Sequence, residues 1–385
     1  MMKLFVKAYT AGTHRLVTPE ETFERIKPHL KVAGITRCAN ITGLDHLNIP
    51  VYCAIRPQGL TLQVSNGKGL EHSAAQVSAL MEAIEVYHAE HPGTNLHQTS
   101  LAALQNEGKL VIRLELLPGY QAIQYFSPNF IIDWVCGENL KTGETIWLPA
   151  SAVYLCRPSL YPFSTNGLAS GNHLLEATLH GLYEVIERDA ISRLSINGRL
   201  QITQHSHTID LNTIDDKLVR QLYETLESAG VKLVLLWVPS CIPIHTFWAV
   251  ILDRNHFSYS SMVNIGYGSH LNPSVAASRA ITEAAQSRLT YIHAAREDLK
   301  AQAYQGSKSH TKLFTFFDQL VGNKDWRTFI DMSETTLEQD YAKVIDSLSS
   351  AGYEHILRVV LTRAPFHIPV VKVFVCGLEM NHRFF

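Results

Sequence analysis

No C-x-x-C pair, no H-E-x-x-H helix and no G-x-x-x-x-G-K-[ST] loop occurs in this chain of 385 residues. The first absence argues against structural zinc, the second against a zincin site and the third excludes a Walker phosphate loop. No G-x-S-x-G elbow is present, which weakens a serine-hydrolase reading. No apolar run approaches the roughly 18 residues of a membrane span, and the start, MMKLFVKAYTAG, lacks a signal-peptide core. Charge of one sign is also missing. The net charge is -2, so no basic field points to nucleic acid or an anionic membrane. The six cysteines are scattered and indicate no disulfide framework. A cytoplasmic protein is expected.

What is present is an ordinary globular balance, 46% hydrophobic and 18% charged, in a chain long enough for more than one lobe. Thr18-Pro19-Glu20-Glu21-Thr22 predicts a helix start, with proline early and carboxylates in the first turn. Residues 50–65 read as strand, turn and strand. Helices are predicted over 70–90, 172–195, 273–298 and 335–350, and strands over 232–238, 246–252, 356–361 and 369–376. Residues 110–165 read as β-rich, with Trp134, Trp147 and Tyr154 at strand positions. The mixture follows no strict βαβ rhythm, so the fold class is α+β.

One phrase recurs three times at intervals of about 100 residues, the size of a duplicated subdomain rather than a solenoid unit. It reads Leu80-Met81-Glu82-Ala83-Ile84-Glu85, Leu182-Tyr183-Glu184-Val185-Ile186-Glu187 and Ile281-Thr282-Glu283-Ala284-Ala285-Gln286. Each copy follows a glycine-containing stretch: Asn66-Gly67-Lys68-Gly69, Asn166-Gly167 with Gly171-Asn172, and Gly266-Tyr267-Gly268. The expectation is a glycine turn feeding a helix, with amides for an anion and carboxylates for a hard cation. On the second helix, taking Glu176 as zero, Asn172 lies near -40°, Glu187 near +20° and Glu184 near +80°. Three carboxylates and an amide thus share an arc beside the apolar face. A solvated acidic face is the bland alternative. Glu82, Glu85 and Glu187 have no Lys or Arg four residues later, as a solvent-facing salt-bridge pattern would favour. Basic residues stand nearby at Lys68, in the Gly67-Lys68-Gly69 turn, and at Arg188 and Arg288, either of which could equally form an ion pair with a neighbouring Glu.

The segments NGKGLEHSAAQVSALMEAIE, NGLASGNHLLEATLHGLYEVIERD and TEAAQSRLTYIHAAREDL resemble the three signature blocks of the YcaO superfamily. The resemblance spans almost the whole chain. It implies an ATP- and Mg²⁺-dependent enzyme that phosphorylates a peptide backbone amide oxygen, which a nucleophile then displaces. Carried over by position, Glu82, Glu85, Glu176, Glu184 and Glu187 resemble the Mg²⁺-nucleotide glutamates. Asn172, Arg188, Gln286 and Arg288 resemble nucleotide or phosphate contacts, and Arg15 and Thr22 keep the spacing of two N-terminal contacts. Many members carry Arg after the second Glu of the first block, where this chain has Val86. The Lys7-Ala8-Tyr9 opening, the Gly377-Leu378-Glu379 ending and the lack of a P-x-P-x-P tail are more similar to members that form thioamides with a TfuA-type partner.

The expected organisation is an N-terminal segment, residues 1–60, contributing to the nucleotide site, and a YcaO-like catalytic domain of repeated helix-on-sheet lobes over 61–385. The expected reaction is thioamide formation on a peptide or protein substrate. The alternatives are azoline formation at Cys, Ser or Thr, and a nucleotide-binding subunit without chemistry. A homodimer is compatible with the sequence. The general base is not identified.

Overall fold

The computed structural model describes residues 5–381 apart from 94–95, 122–125, 197–198, 256–258 and 305–307. The last four residues of the C-terminal ending lie outside the described residues. The first helix, α1 (Pro19–Ile26), starts as its sequence predicts. Thr18 caps it by accepting from the Glu21 amide, and Pro19 sits at the first position. Strands β1 (Arg37–Asn40), β2 (Val51–Ile55) and β3 (Val64–Lys68) form an antiparallel sheet in that order. The long helix α2 (His72–Glu90) follows. Strands on both sides of residue 60 therefore belong to one sheet.

The second sheet begins with β4 (His97–Ser100), β5 (Ile131–Asn139), β6 (Thr145–Pro149) and β7 (Leu168–Ser170), and helix α3 (Leu174–Ser192) leaves it. The third sheet holds β8 (His207–Asp210), then, after helix α4 (Lys217–Ser228), β9 (Lys232–Trp237), β10 (His245–Leu252) and β11 (Val263–His270). Helix α5 (Pro273–His293) leaves β11, and α6 (Lys308–Asp318) and α7 (Leu337–Ser350) follow. The chain returns to the second sheet with β12 (Ile356–Val360) and β13 (Val370–Val375), giving the order β4-β5-β12-β13-β7 with β6 paired to β5.

Sheets two and three have apolar layers on both faces, which is why their inner strands read as nearly unbroken apolar runs. In β13, Val370 and Phe374 enter one core with α2, while Val371, Val373 and Val375 enter another with α3 and α7. In the third sheet, Leu233, Leu235, Phe247 and Ala249 pack toward α5, whereas Val234, Leu236, Trp248 and Val250 face Phe317 and the end of α3.

Two expectations need correction. Trp134 and Trp147 sit on β5 and β6, but Tyr154 closes a single helical turn over Ala150–Val153, its amide donating to the Ala150 carbonyl. Three of the six glycines of the repeated stretches, Gly67, Gly266 and Gly268, lie in strands rather than turns. A Cβ on Gly67 of β3 would stand 1.9 Å from the Ala79 amide nitrogen, and one on Gly266 of β11 would stand 2.2 Å from that of Ala284. Glycine is there because a helix backbone presses directly on the strand. The α3 start is not an open anion cradle either. The Asn172 amide donates to Glu176 and the Leu175 amide to the His173 ring.

The three close helix-strand contacts lock into a ring. Helix α2 lies on β3 and also touches β7; α3 lies on β7 and touches β11; α5 lies on β11 and touches β3. The three repeated phrases therefore surround one central space.

Candidate active site

That space is a cavity of about 930 Å³, within the range of small-molecule sites. The phrases bring equivalent positions to its wall: Glu82, Glu184 and Glu283 from the first carboxylate of each copy, and Glu85, Glu187 and Gln286 from three residues later. A helix turns about 100° per residue, so positions i and i+3 share a face, and three such faces turned inward make the lining. Of the residues singled out by resemblance, Arg15, Thr22, Asn172, Arg188 and Gln286 and the five glutamates all reach this wall.

The N-terminal segment closes one side. Glu176, almost fully buried, accepts from the Leu16 amide at 2.9 Å, from Arg15 at 3.3 Å and from the Asn172 amide and side chain at 3.0 and 3.3 Å. Thr22 and Asn172 exchange a further side-chain contact. Farther out, the Phe5 amide donates to Glu338, and Lys7 pairs with buried Asp340 at 2.6 Å. Glu176 thus fastens residues 15–16 against α3, and both of its oxygens are already engaged.

The other carboxylates are under electrostatic pressure. Burial, reinforced by neighbouring glutamates, pushes Glu82 up to about 7, Glu85 to about 8 and Glu187 to about 7, and raises Glu184. Glu283 is the exception. Burial would raise it, but Lys68 from the end of β3 pairs with it and holds it below the usual range. The third phrase carries Gln286 where the others carry a second Glu, so its only carboxylate is met by that lysine. Arg188 lies 3.8 Å from Glu184, one turn earlier. Arg296 reaches the wall because α5 ends at His293 rather than near 298. Ala294, with φ 54°, turns the chain back so that Arg296, paired with Asp298, lends its charge to Glu82. The resemblance did not carry Lys68, Arg279, Glu283 and Arg296. Glu283 was visible as the first carboxylate of the third phrase.

Metal ligation requires ionised carboxylates. Glu82, Glu85 and Glu187 are partly protonated near neutral pH, so Mg²⁺-nucleotide binding should release protons, and affinity should rise as pH increases through about 7 to 8. Calorimetric titration in buffers of different ionisation enthalpy measures the release directly; proton uptake would contradict it. For stability the sign is opposite. The native apo state holds more protons than the unfolded chain between the ordinary value of 4.5 and about 8, so these groups stabilise it less as pH rises through that window. The buried neutral histidines His88, His180 and His270 act the other way below 6.5.

Arg288 is not brought to the cavity. It is almost fully buried on the opposite side of α5, paired with Asp45 at 2.8 Å and Asp253 at 2.9 Å and donating to the Ser261 carbonyl. It follows Gln286 by two positions, about 200° around a helix, so the two cannot share a face. Its task is structural. Arg288→Met takes the guanidinium away from two buried carboxylates and should destabilise the fold by about 3–5 kcal/mol. Denaturant unfolding measures the loss, and calorimetry on the folded fraction should show nucleotide affinity unchanged.

The match to known proteins agrees with this geometry. A family model described as YcaO cyclodehydratase, ATP- and Mg²⁺-binding, matches residues 66–379. The chain belongs to the YcaO family. A relative described as an uncharacterized protein in the tfuA 3′ region of Rhizobium leguminosarum bv. trifolii is 35% identical over 384 residues, covering 95% of this chain and 89% of the relative. The fold matches that of YcaO from Methanopyrus kandleri bound with AMPPCP and Mg²⁺, with TM-score 0.78 and 23% identity over 97% of this chain and 95% of that one. It also matches a heterocyclase in complex with substrate and cofactor, with TM-score 0.81 and 23% identity over 99% of this chain and 54% of that one.

The cavity fits the Mg²⁺ and nucleotide of this YcaO family. Among the described residues no three His, Cys, Asp or Glu side chains form a ready-made metal cage. Mg²⁺ needs none, since it is commonly held by one or two carboxylates together with substrate phosphates. Glu82 with Glu85, and Glu184 with Glu187, stand on the cavity wall as two pairs of carboxylates that could serve in this way. Among the described residues no helix is long and apolar enough to cross a membrane.

Proposed function

We propose that this chain is an ATP-dependent peptide-modifying enzyme that binds Mg-ATP in the central cavity, O-phosphorylates a backbone amide and replaces the oxygen with sulfur. The observation that carries the reading is the set of buried, proton-holding carboxylates converging from helices in two lobes beside Arg15, Lys68, Arg188 and Arg296. Glu82, Glu85, Glu184 and Glu187 would hold Mg²⁺, with Glu176 joining only by exchanging its Arg15 and Asn172 contacts. Bound there, Mg²⁺ would supply charge neutralisation along the phosphates. Arg15 and Thr22, two of the residues of 1–60 that reach the wall, would contact nucleotide, with Asn172, Arg188 and Gln286 completing the set.

In the first step the amide oxygen forms a bond to the γ-phosphorus as the bond to ADP breaks with its electron pair. A sulfur nucleophile of hydrosulfide type then adds to the activated carbon. Phosphate leaves with the carbon-oxygen pair and the sulfhydryl proton, giving a thioamide. The sequence similarities to thioamide-forming members favour this route, and the tfuA-region description of the Rhizobium relative supports a TfuA-type partner. The six free cysteines suit a reducing cytoplasm.

The test is mass spectrometry of the peptide after incubation with ATP, Mg²⁺, a sulfide source and the partner. Replacement of one oxygen by sulfur, with ADP and phosphate formed, is the expected result. Loss of water from a Cys, Ser or Thr peptide without sulfide would establish the azoline reading instead. No ATP turnover with every partner present would leave a nucleotide-binding subunit.

A further inference from the structure

The repeated phrase extends one turn toward the N-terminus of each helix. Ser78, His180 and Arg279 stand four residues before Glu82, Glu184 and Glu283, and all three line the cavity. Positions i, i+4 and i+7 form one stripe on a helix. The three stripes are thus equivalent in position, and their first members have diverged: a hydroxyl, an imidazole and a guanidinium.

Arg279 differs from the other cations of the wall. Arg15 pairs with Glu176, Lys68 with Glu283, Arg188 with Glu184 and Arg296 with Asp298. Among the described residues Arg279 has no carboxylate within ion-pair distance, although Glu184, Glu187 and Glu283 all feel its charge. Its Nε is buried with no hydrogen-bond partner. Its one polar contact is from Nη2 to Nε2 of His180, at 3.4 Å. Arginine can only donate, so Nε2 must be the accepting nitrogen of a neutral ring. A guanidinium that meets His180 and has no carboxylate at ion-pair distance, amid carboxylates that a divalent cation would claim, is arranged for an anion that arrives later.

We propose that Arg279 is the catalytic guanidinium that stabilises the phosphoryl group while it passes from ATP to the peptide amide oxygen, and that His180 is its positioning residue. The inference rests on the functional reading above. During transfer, charge spreads over the three equatorial phosphoryl oxygens as the bond to ADP breaks and the bond to the amide oxygen forms. The amide proton stays on nitrogen in this step. A planar fork of donors meets that arrangement better than an ammonium does. Because the interaction strengthens in the transition state, its loss should lower kcat more than ground-state nucleotide affinity.

The experiment uses the full chain and two probes: Mg-ATP, and ADP with Mg²⁺ and aluminium fluoride, which imitates the transferring phosphoryl group. Circular dichroism confirms that each variant is folded. Arg279→Lys should bind Mg-ATP within about threefold of wild type but bind the fluoroaluminate complex at least about 100-fold more weakly. His180→Ala should weaken only the fluoroaluminate complex, His180→Gln should restore much of it by supplying an acceptor, and His180→Ala with Arg279→Lys should lose no more than Arg279→Lys alone. Equal losses for both probes, or unchanged binding of both, would overturn the inference while leaving Mg-ATP binding by wild type intact. Failure of wild type to bind Mg-ATP would instead remove the functional reading and the inference with it.

Discussion

Glu187→Ala should abolish Mg-ATP binding while the protein remains folded. Glu187 lines the cavity from the inner face of α3 and retains only 4% of its accessible surface. Burial and the neighbouring Glu283 hold its carboxyl up to about 7, so it is charged only at a cost that a cation removes. Without it, α3 keeps Glu184 alone of its inner pair, and a metal there loses a ligand that the triphosphate cannot replace. Affinity for Mg-ATP should fall at least about 100-fold, since even groups that only orient metal ligands are worth roughly 10- to 100-fold. The fold should not suffer, because removing a partly protonated buried carboxylate relieves repulsion. Calorimetry with ATP and Mg²⁺ measures the affinity and thermal unfolding measures the fold. Unchanged affinity would place the nucleotide elsewhere.

Gly67→Ala should be among the most damaging small substitutions in the chain. The added methyl would sit 1.9 Å from the Ala79 nitrogen and 2.6 Å from the Ala75 carbonyl oxygen, both of them backbone atoms of α2. No rotamer relieves a clash with backbone. The helix must lift from β3, which would disturb Glu82 and Glu85 and the ring that closes the cavity. Overpacking typically destabilises by about 1–3 kcal/mol, and a clash this close belongs at or beyond the upper end. Gly43→Ala is the control. A methyl added there would meet nothing within 4 Å, and the φ of Gly43 is not positive, so the change should stay within about 0.5 kcal/mol. Soluble yield and unfolding temperature of the two variants should differ plainly; equal values would mean that α2 does not depend on this close approach.

The three long helices and their inner carboxylates were legible because helix periodicity is local. The phrase at 82–85 implies the same geometry wherever it stands, and α2, α3 and α5 appear close to their expected spans. The purpose of the glycines was not legible. A glycine in a turn and a glycine under a helix look alike in sequence, and only the distance to Ala79 or Ala284 separates them. Arg288 was readable in principle, since the angular argument applied to α3 also excludes it from the face of Gln286 on α5. Lys68, Arg279 and Arg296 were harder. They enter the cavity from a strand end, an early helical turn and a reversed helix exit, and which charges meet there depends on how separate sheets pack. The clasp of Arg15 and Leu16 on Glu176 spans more than 150 residues of chain and has no local signature.

The central claim, that the carboxylate-lined cavity holds Mg-ATP, is tested most directly by a crystal structure of the chain with a non-hydrolysable ATP analogue and Mn²⁺ in place of Mg²⁺. Anomalous scattering locates Mn²⁺ without reference to the protein. The account predicts peaks at bonding distance from carboxylate oxygens of Glu82 or Glu85 and of Glu184 or Glu187, with phosphate oxygens completing each shell. Anomalous peaks and nucleotide density away from these four side chains would contradict it.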